Sequence, residues 1–497
     1  MCLLRDEEFS KRVYVSIEIP TGAWIPAMPT DIPDCPSLST TVSLDDGTVL
    51  LVGNQVAPKF DNPDEKKRYT RDPLTVSVSS DGYVFERAYA LRTGVPEVRV
   101  PGVEGRGSGG GQYPSAIIHN GTLYVQYSMR KEDIWISVVP LSDLGVFKYA
   151  RDKHGKRPES VIAINNVCAW PNLTVLKDGT IAAIIHNEAS HLRNPSDLEC
   201  WASQDDGRTW EKRGKPGPRD NDKAMRGNVA AGLAANGDLV VICSGWSGSD
   251  NGGRGTLLPL LVSRSSDGGY TWDIDRNAFP EPWSEHLSTE SSPEGYPVPF
   301  GDIIQGNDGT LRVGMYRGLP GKSFVYRSRD DGHTWVEPVV IHPNAVVLEP
   351  ALYHLGEGRW LCASRNPGDK PAGMDLYTSD DDANTWTFQK GLTPSSRLPG
   401  HFLQLQDGRI VLTYGNRYEG SRTKVPRGIE MLVSEDDGKT WSGPVRLADF
   451  FRDGGYPSSV QLRHGQVLTA YYARKVLGHE YYHMGTVIWD PVKSIDR

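Results

Sequence analysis

The sequence predicts an all-β protein, a β-propeller of four-stranded blades. Three observations carry that expectation: a motif that recurs along the chain, a hairpin signal that alternates with it, and a near absence of helical periodicity.

The recurring motif reads Ser-x-Asp-x-Gly-x-Thr-Trp. It appears at Ser203–Trp210, Ser265–Trp272, Ser328–Trp335 and Ser434–Trp441. Ser379–Trp386 is a variant with Ala383 in the glycine position, and Ser79-Ser80-Asp81-Gly82, ending at Phe85, is a worn copy. These residue types describe a hairpin turn. The aspartate accepts backbone N–H bonds, the glycine permits a positive φ, and the tryptophan packs beneath the turn. The motif aspartates are therefore expected to be structural, not catalytic.

The alternating signal is an apolar run, a tight glycine turn and another apolar run. Its glycines are Gly47, Gly121, Gly179, Gly237, Gly309, Gly358, Gly408 and Gly465, at intervals of 49 to 74 residues. β-Branched residues flank each turn, as hairpins require. Two hairpins make four strands, one propeller blade. The count is eight units, with seven or six as alternatives if an early unit is an insertion. The unit holding Ile134–Val139 keeps its strands but lacks the Asp motif. The last unit shows three strands, ending at Val487-Ile488-Trp489, and the segment Val13–Ile19 is expected to supply its fourth and close the ring. Length alone suggests about three domains. Eight units in 497 residues, about 62 each, replace that with one domain over residues 1–497.

Composition agrees with a turn-rich globular chain. There are 53 Gly and 35 Pro, and 13 Trp with 21 Tyr argue against disorder. The net charge is −8, and the densest basic run is only Glu65-Lys66-Lys67-Arg68, which argues against nucleic acid binding. No apolar run approaches the ~20 residues of a membrane span. Met1–Arg12 has no apolar signal segment, which fits a cytoplasmic protein or a processed periplasmic or secreted one. The cysteines at 2, 35, 168, 200, 243 and 362 form no CxxC and no zinc spacing. Free thiols are expected, with a Cys168–Cys200 disulfide as the alternative. No cofactor or metal is implied.

In a propeller the first strand of each blade lines the channel, and loops at one end form the default ligand site. The strand starts here are Tyr113-Pro114, Trp170-Pro171-Asn172, Asn228, Asp302, Glu349-Pro350, His401 and Tyr456-Pro457. Residues just past the second strand reach the same mouth: Arg130, His186, Arg317, Arg365, Arg417 and Arg474. Five arginines at equivalent positions in a net-acidic chain point to an anionic ligand, because guanidinium pairs with carboxylate in a fork.

These residues resemble those of the sialidase-like Asp-box propellers. Glu349-Pro-Ala-Leu-Tyr-His-Leu-Gly-Glu-Gly358, followed by Leu361-Cys-Ala-Ser-Arg365, is similar to the segment with that family's catalytic glutamate and one triad arginine. Arg427-Gly-Ile-Glu-Met-Leu-Val-Ser434 resembles the segment with another triad arginine, and Gly455-Tyr456-Pro-Ser-Ser that with the tyrosine nucleophile. The resemblance implies Tyr456 as nucleophile, Glu349 as its base, and Arg365 and Arg427 as the carboxylate clamp. Where the family has Arg-Ile-Pro, this chain has Ala169-Trp170-Pro171, and the first unit offers Ser37. In place of the acid/base aspartate, the loop from His186 to Glu199 offers His186, Glu188, His191 and Asp197.

Three functions follow. The first is a glycosidase acting on an acidic oligosaccharide or polysaccharide with Tyr456, Glu349 and an acid from the His186–Asp197 loop. The second is a polysaccharide lyase, in which Arg365 or Arg417 neutralises a uronate and His401, His186 or His191 works with Tyr456. The third is a non-catalytic glycan-binding propeller.

Overall fold

In the computed structural model all eight hairpin glycines adopt the left-handed backbone their turns need, with φ from 70° to 95°. Each joins the first two strands of a sheet. The structure describes the whole chain except residues 1, 5–9, 36, 45, 57–70, 81, 100–108, 250–253, 281–295, 318–320, 344, 368–372, 418–426, 477 and 496–497. The basic run Glu65–Arg68 and Asp81 of the worn repeat lie outside the described residues.

The chain divides into two compact units, one ending at Phe147 and one beginning at Lys148. In the first, Thr40–Ser43, Val49–Gly53, Leu74–Ser79 and Phe85–Arg92 form an antiparallel four-stranded sheet. Gly111–His119, Thr122–Met129 and Asp133–Pro140 form a sheet of three, and Leu50, Val76, Val125 and Tyr127 share one apolar core between these sheets.

The second unit carries the other six repeats. Four sheets have four strands, and one of eight strands is two such sheets joined where Ala230 and Ala231 pair in parallel with Gly301 and Asp302. The inner strands are Asn172–Val175, Met225–Leu233, Val298–Gln305, Leu348–Gly356, Arg397–Gln404 and Gly454–Gln461. Each contacts the next, and the last returns to the first, so the six blades form a closed circuit. Apolar residues of neighbouring blades fill the wedges, as Ala351, Leu361, Phe402 and Leu412 do between the fourth and fifth.

The last blade closes differently from expectation. Its outer strand is Ser160–Asn165, which pairs with His479–Trp489. The segment Arg12–Ser16 instead lies between Cys2–Leu4 and Met28–Pro33 in the first unit. The physical reason is edge occupancy. Ser160–Asn165 opens the second unit and already covers the free edge of the third strand.

The Asp motifs are hairpin turns, as their residue types dictate. Ser203 donates to Asp205 at 2.8 Å, the Gly207 N–H donates to Ser203 Oγ at 2.8 Å, and the Thr209 N–H donates to Asp205 at 2.8 Å. The Trp210 indole donates to the Gly207 carbonyl at 3.1 Å. The same set recurs around Asp267, Asp330 and Asp436. In the variant, Ala383 takes a φ of 62°, and the buried Trp386 Nε1 has no partner among the described residues. All six cysteines are free thiols, and five of them are buried. Among the described residues no helix is long and apolar enough to cross a membrane.

Candidate active site

Strand register puts the inner-strand starts and the Asp motifs at opposite ends of each blade. In the first blade Asn172 faces Ile184, whereas Ser203 faces Ile181. The inner-strand starts share a local device. Trp170, Asn228, Glu349 and Tyr456 all hold left-handed backbone, with φ of 40°, 56°, 51° and 50°. The ladders shift register at Gly227/Val229, Leu348/Ala351 and Gly455/Ser458, the marks of β-bulges. A bulge re-aims one side chain out of the sheet's alternation. Holding a non-glycine residue there costs on the order of 1–3 kcal/mol, which the surrounding ladder must offset. Three of the four precede a proline, which removes a ladder donor and favours such a break.

The re-aimed residues line a cleft of about 280 Å³, together with Arg365, Arg317, Arg254, Tyr316, His191 and Trp246. The Tyr456 phenol donates a hydrogen bond to Glu349. Arg365 Nη1 lies 3.4 Å from both Glu349 oxygens. Glu349 is buried, with only 3% of its surface exposed. Burial, the Glu349 charge and Tyr316 push the Tyr456 phenol well above its ordinary pKa, so it is neutral before reaction. Burial works against the Arg365 charge, but Glu349 and Tyr456 outweigh it and raise its pKa. Three buried N–H donors of the cleft, Arg365 Nε, Trp170 Nε1 and Trp246 Nε1, have no partner among the described residues. Unmade bonds of that kind suit a ligand rich in oxygen acceptors.

A second cluster stands against this one. Asp453, one residue before the start of the sixth inner strand, accepts His191 Nδ1 at 2.9 Å, Arg417 Nη2 at 2.7 Å, Tyr472 Oη at 2.9 Å and Tyr482 Oη at 3.0 Å. Burial opposes its charge, but His191 and Arg417 hold the carboxyl well below the usual range. Trp170 joins the clusters. Its ring centroid lies 4.8 Å from His191, 5.8 Å from Tyr456 and 6.2 Å from Tyr472. Close approach of the fifth and sixth blades makes this possible, since a Cβ on Gly415 would meet the Gly455 Cα at 2.8 Å.

Other expected site residues lie elsewhere. His186 is fully buried behind Trp170, bonded to Ser196 Oγ at 2.9 Å; burial and then His191 lower its pKa to about 3, so it is neutral. Asp197 is held by Lys215 at 2.8 Å and by the Arg219 N–H at 2.8 Å, and does not line the cleft. His401 pairs with Asp302 at 3.1 Å, and Asn172 donates to Asp302 at 3.0 Å; His401, Asn172 and Tyr456 line a small space of about 40 Å³. Arg427 donates to the Arg452 carbonyl at 2.9 Å, and Arg474 covers the Tyr482 ring at 5.3 Å; neither lines the cleft. Arg317 does line it, donating to the Tyr296 carbonyl at 3.1 Å. Arg130 belongs to the first unit, where it bonds the Pro96 carbonyl at 2.5 Å.

Sequence reasoning missed Arg254, Tyr316, Trp246 and Asp453. Asp453 stands three residues before the quoted tyrosine and could have been read with it. Arg254 follows a glycine pair in a loop and shares no register with the other arginines, so no spacing signalled it.

Similarity to known proteins bears on this geometry. The protein of unknown function from Dyadobacter fermentans DSM 18053 is 23% identical, with a TM-score of 0.56 over 67% of this chain and 98% of that one. The endosialidase of phage phi92 is 11% identical, with a TM-score of 0.50 over 67% and 69%. The Trypanosoma rangeli sialidase is 16% identical, with a TM-score of 0.48; the match covers 69% of this chain and 58% of that one. Among curated proteins none matches this chain. The family model of the BNR repeat-like domain matches residues 1–125 and 197–468. With repeats matched over most of its length, and blades built on the turns those repeats encode, the chain belongs to the BNR repeat-like domain family.

Proposed function

We propose that the protein is a retaining glycosidase that releases a carboxylate-bearing sugar from a glycan. The observation that carries this reading is the Tyr456 phenol bonded to the buried Glu349, with Arg365 on the same carboxylate. Glu349 takes the phenol proton as Tyr456 attacks the anomeric carbon. A neutral phenol avoids the repulsion an ionised nucleophile meets beside an anionic substrate. Arg365, Arg254 and Arg317 line the same cleft and suit the substrate carboxylate. The endosialidase of phage phi92 shares the fold, which supports a glycan-directed reading.

The test is turnover of the alkyl and aryl glycosides of sialic acid and of glucuronic acid, scored as released sugar. The reading expects hydrolysis that Tyr456→Phe abolishes. Full activity in that variant would remove Tyr456 from the mechanism.

One observation favours elimination as a second reading. An imidazole oriented by a carboxylate, His191 on Asp453, stands beside arginines that can neutralise a uronate. Elimination leaves an unsaturated uronate with new ultraviolet absorbance, whereas hydrolysis leaves none. Saturable binding without turnover would identify a glycan-binding module.

A further inference from the structure

We infer that His191, oriented by Asp453, is the general acid/base of this cleft. This rests on the glycosidase reading above. The resemblance leaves the acid/base unassigned, because the loop from His186 to Glu199 contains four candidates. Geometry separates them. His186 is sealed behind Trp170 with Ser196, Asp197 is committed to Lys215 and the Arg219 N–H, and Glu188 does not line the cleft. His191 lines the cleft, edge-on to Trp170, and its side chain keeps 34% of its surface exposed.

Its two ring nitrogens have different duties. Nδ1 is tied to Asp453 Oδ2 at 2.9 Å, which fixes the ring plane and leaves Nε2 to exchange a proton with substrate. Asp453 is itself fixed by donors from Arg417, Tyr472 and Tyr482, so it is a positioning residue acting through the imidazole. The pair comes from the first and sixth blades, and Arg417 of the fifth holds Asp453 as well.

The reaction then balances in two halves. Tyr456 Oη bonds to the anomeric carbon and passes its proton to Glu349. The glycosidic C–O bond breaks, and its electron pair stays on the leaving oxygen, which takes the proton from protonated His191 Nε2. In the second half water attacks the anomeric carbon and gives a proton to His191 Nε2. The Tyr456 oxygen leaves and recovers its proton from Glu349. One glycoside and one water become the free sugar and the alcohol, and every side chain returns to its starting state.

An acid helps most when the leaving group is poor. Methyl and para-nitrophenyl glycosides of sialic acid and glucuronic acid are compared in wild type, His191→Ala and His191→Gln, with thermal unfolding as a check on folding. The expected result is a loss of ~10²-fold or more in kcat/KM on the methyl glycoside, and a loss in kcat/KM at least tenfold smaller on the para-nitrophenyl glycoside. The His191 variants are also expected to accumulate a glycosyl adduct, seen as a gain in intact protein mass, because hydrolysis of the intermediate lacks its base. Asp453→Asn is expected to lower activity in the wild-type background and to add little to His191→Ala. Equal losses in kcat/KM on both glycosides, or no loss, would overturn the role of His191 while leaving the glycosidase reading intact. A wild-type protein inactive on all four glycosides, or one that yields an unsaturated product, would remove both.

Discussion

The two ends of each blade solve opposite problems with similar residues. At one end, an aspartate of each Asp motif is satisfied by its own turn. The Thr440 hydroxyl and N–H, with Ser434, hold the Asp436 carboxyl down to about 2. Every partner lies within a few residues, so the turn forms from local sequence, and a donor, Trp386 Nε1, is left over in the Ala383 variant. At the other end, Glu349, Tyr456 and Trp170 sit on left-handed backbone, the Tyr456–Glu349 bond joins two blades, and buried N–H groups remain unpaired. The first end is built to fold: its left-handed residues include Asp206, Asp331 and Asp437, a type that tolerates this backbone better than bulky side chains do. The second holds strain and unmade bonds in readiness for a ligand, a pattern typical of functional sites.

The largest expected effect is at the strained end. Tyr456→Phe removes the attacking oxygen and should cost roughly 10³-fold or more in kcat while thermal stability changes little. A steady-state assay beside a melting curve checks both. At the other end the signs reverse. Trp335 is 1% exposed in the core between the second and third blades, and Trp335→Ala should cost about 3–5 kcal/mol of stability in denaturant unfolding. The surviving folded fraction should keep wild-type KM. A changed KM would mean that the two ends are coupled.

Arg365→Lys sharpens the comparison within the cleft. It keeps the charge and loses the fork, so kcat/KM should fall by ~10–100-fold, chiefly through KM. An equal fall in kcat would move Arg365 from substrate binding to the chemical step.

The smallest effect concerns pH. Burial lowers the His186 pKa from 6.5 to about 3 in the folded state. The unfolded chain therefore binds a proton that the folded chain refuses within that window. His186 costs no stability above about pH 6.5, and stability falls as pH drops from there towards 3, by up to about 1.4 kcal/mol per pH unit. Unfolding of His186→Gln across this range should show a shallower pH slope than wild type. An unchanged slope would mean that the ring is protonated in the folded protein.

The blades were legible in the sequence because their turns are local. A glycine with positive φ and a Ser-Asp-Gly-Trp set act over eight residues or fewer, and the chain repeats them. Tyr456, Glu349, Trp170 and Arg365 were legible for a related reason, since each bulge or strand end leaves a mark such as the following proline. The His191–Asp453 pair was not. Its partners are 262 residues apart, and only closure of the first blade against the sixth brings them together. The closing strand was misread for the same cause. Periodicity identifies a strand at Val13–Ile19 but not the edge it joins, and Ser160–Asn165 holds the edge in question.

Double displacement at Tyr456 predicts the configuration of the anomer first formed. Proton NMR of the earliest product, recorded before mutarotation during cleavage of an α-sialoside or a β-glucuronide, should show the anomeric configuration of the substrate. Inversion would mean that water attacks the substrate itself, and would contradict a tyrosine nucleophile.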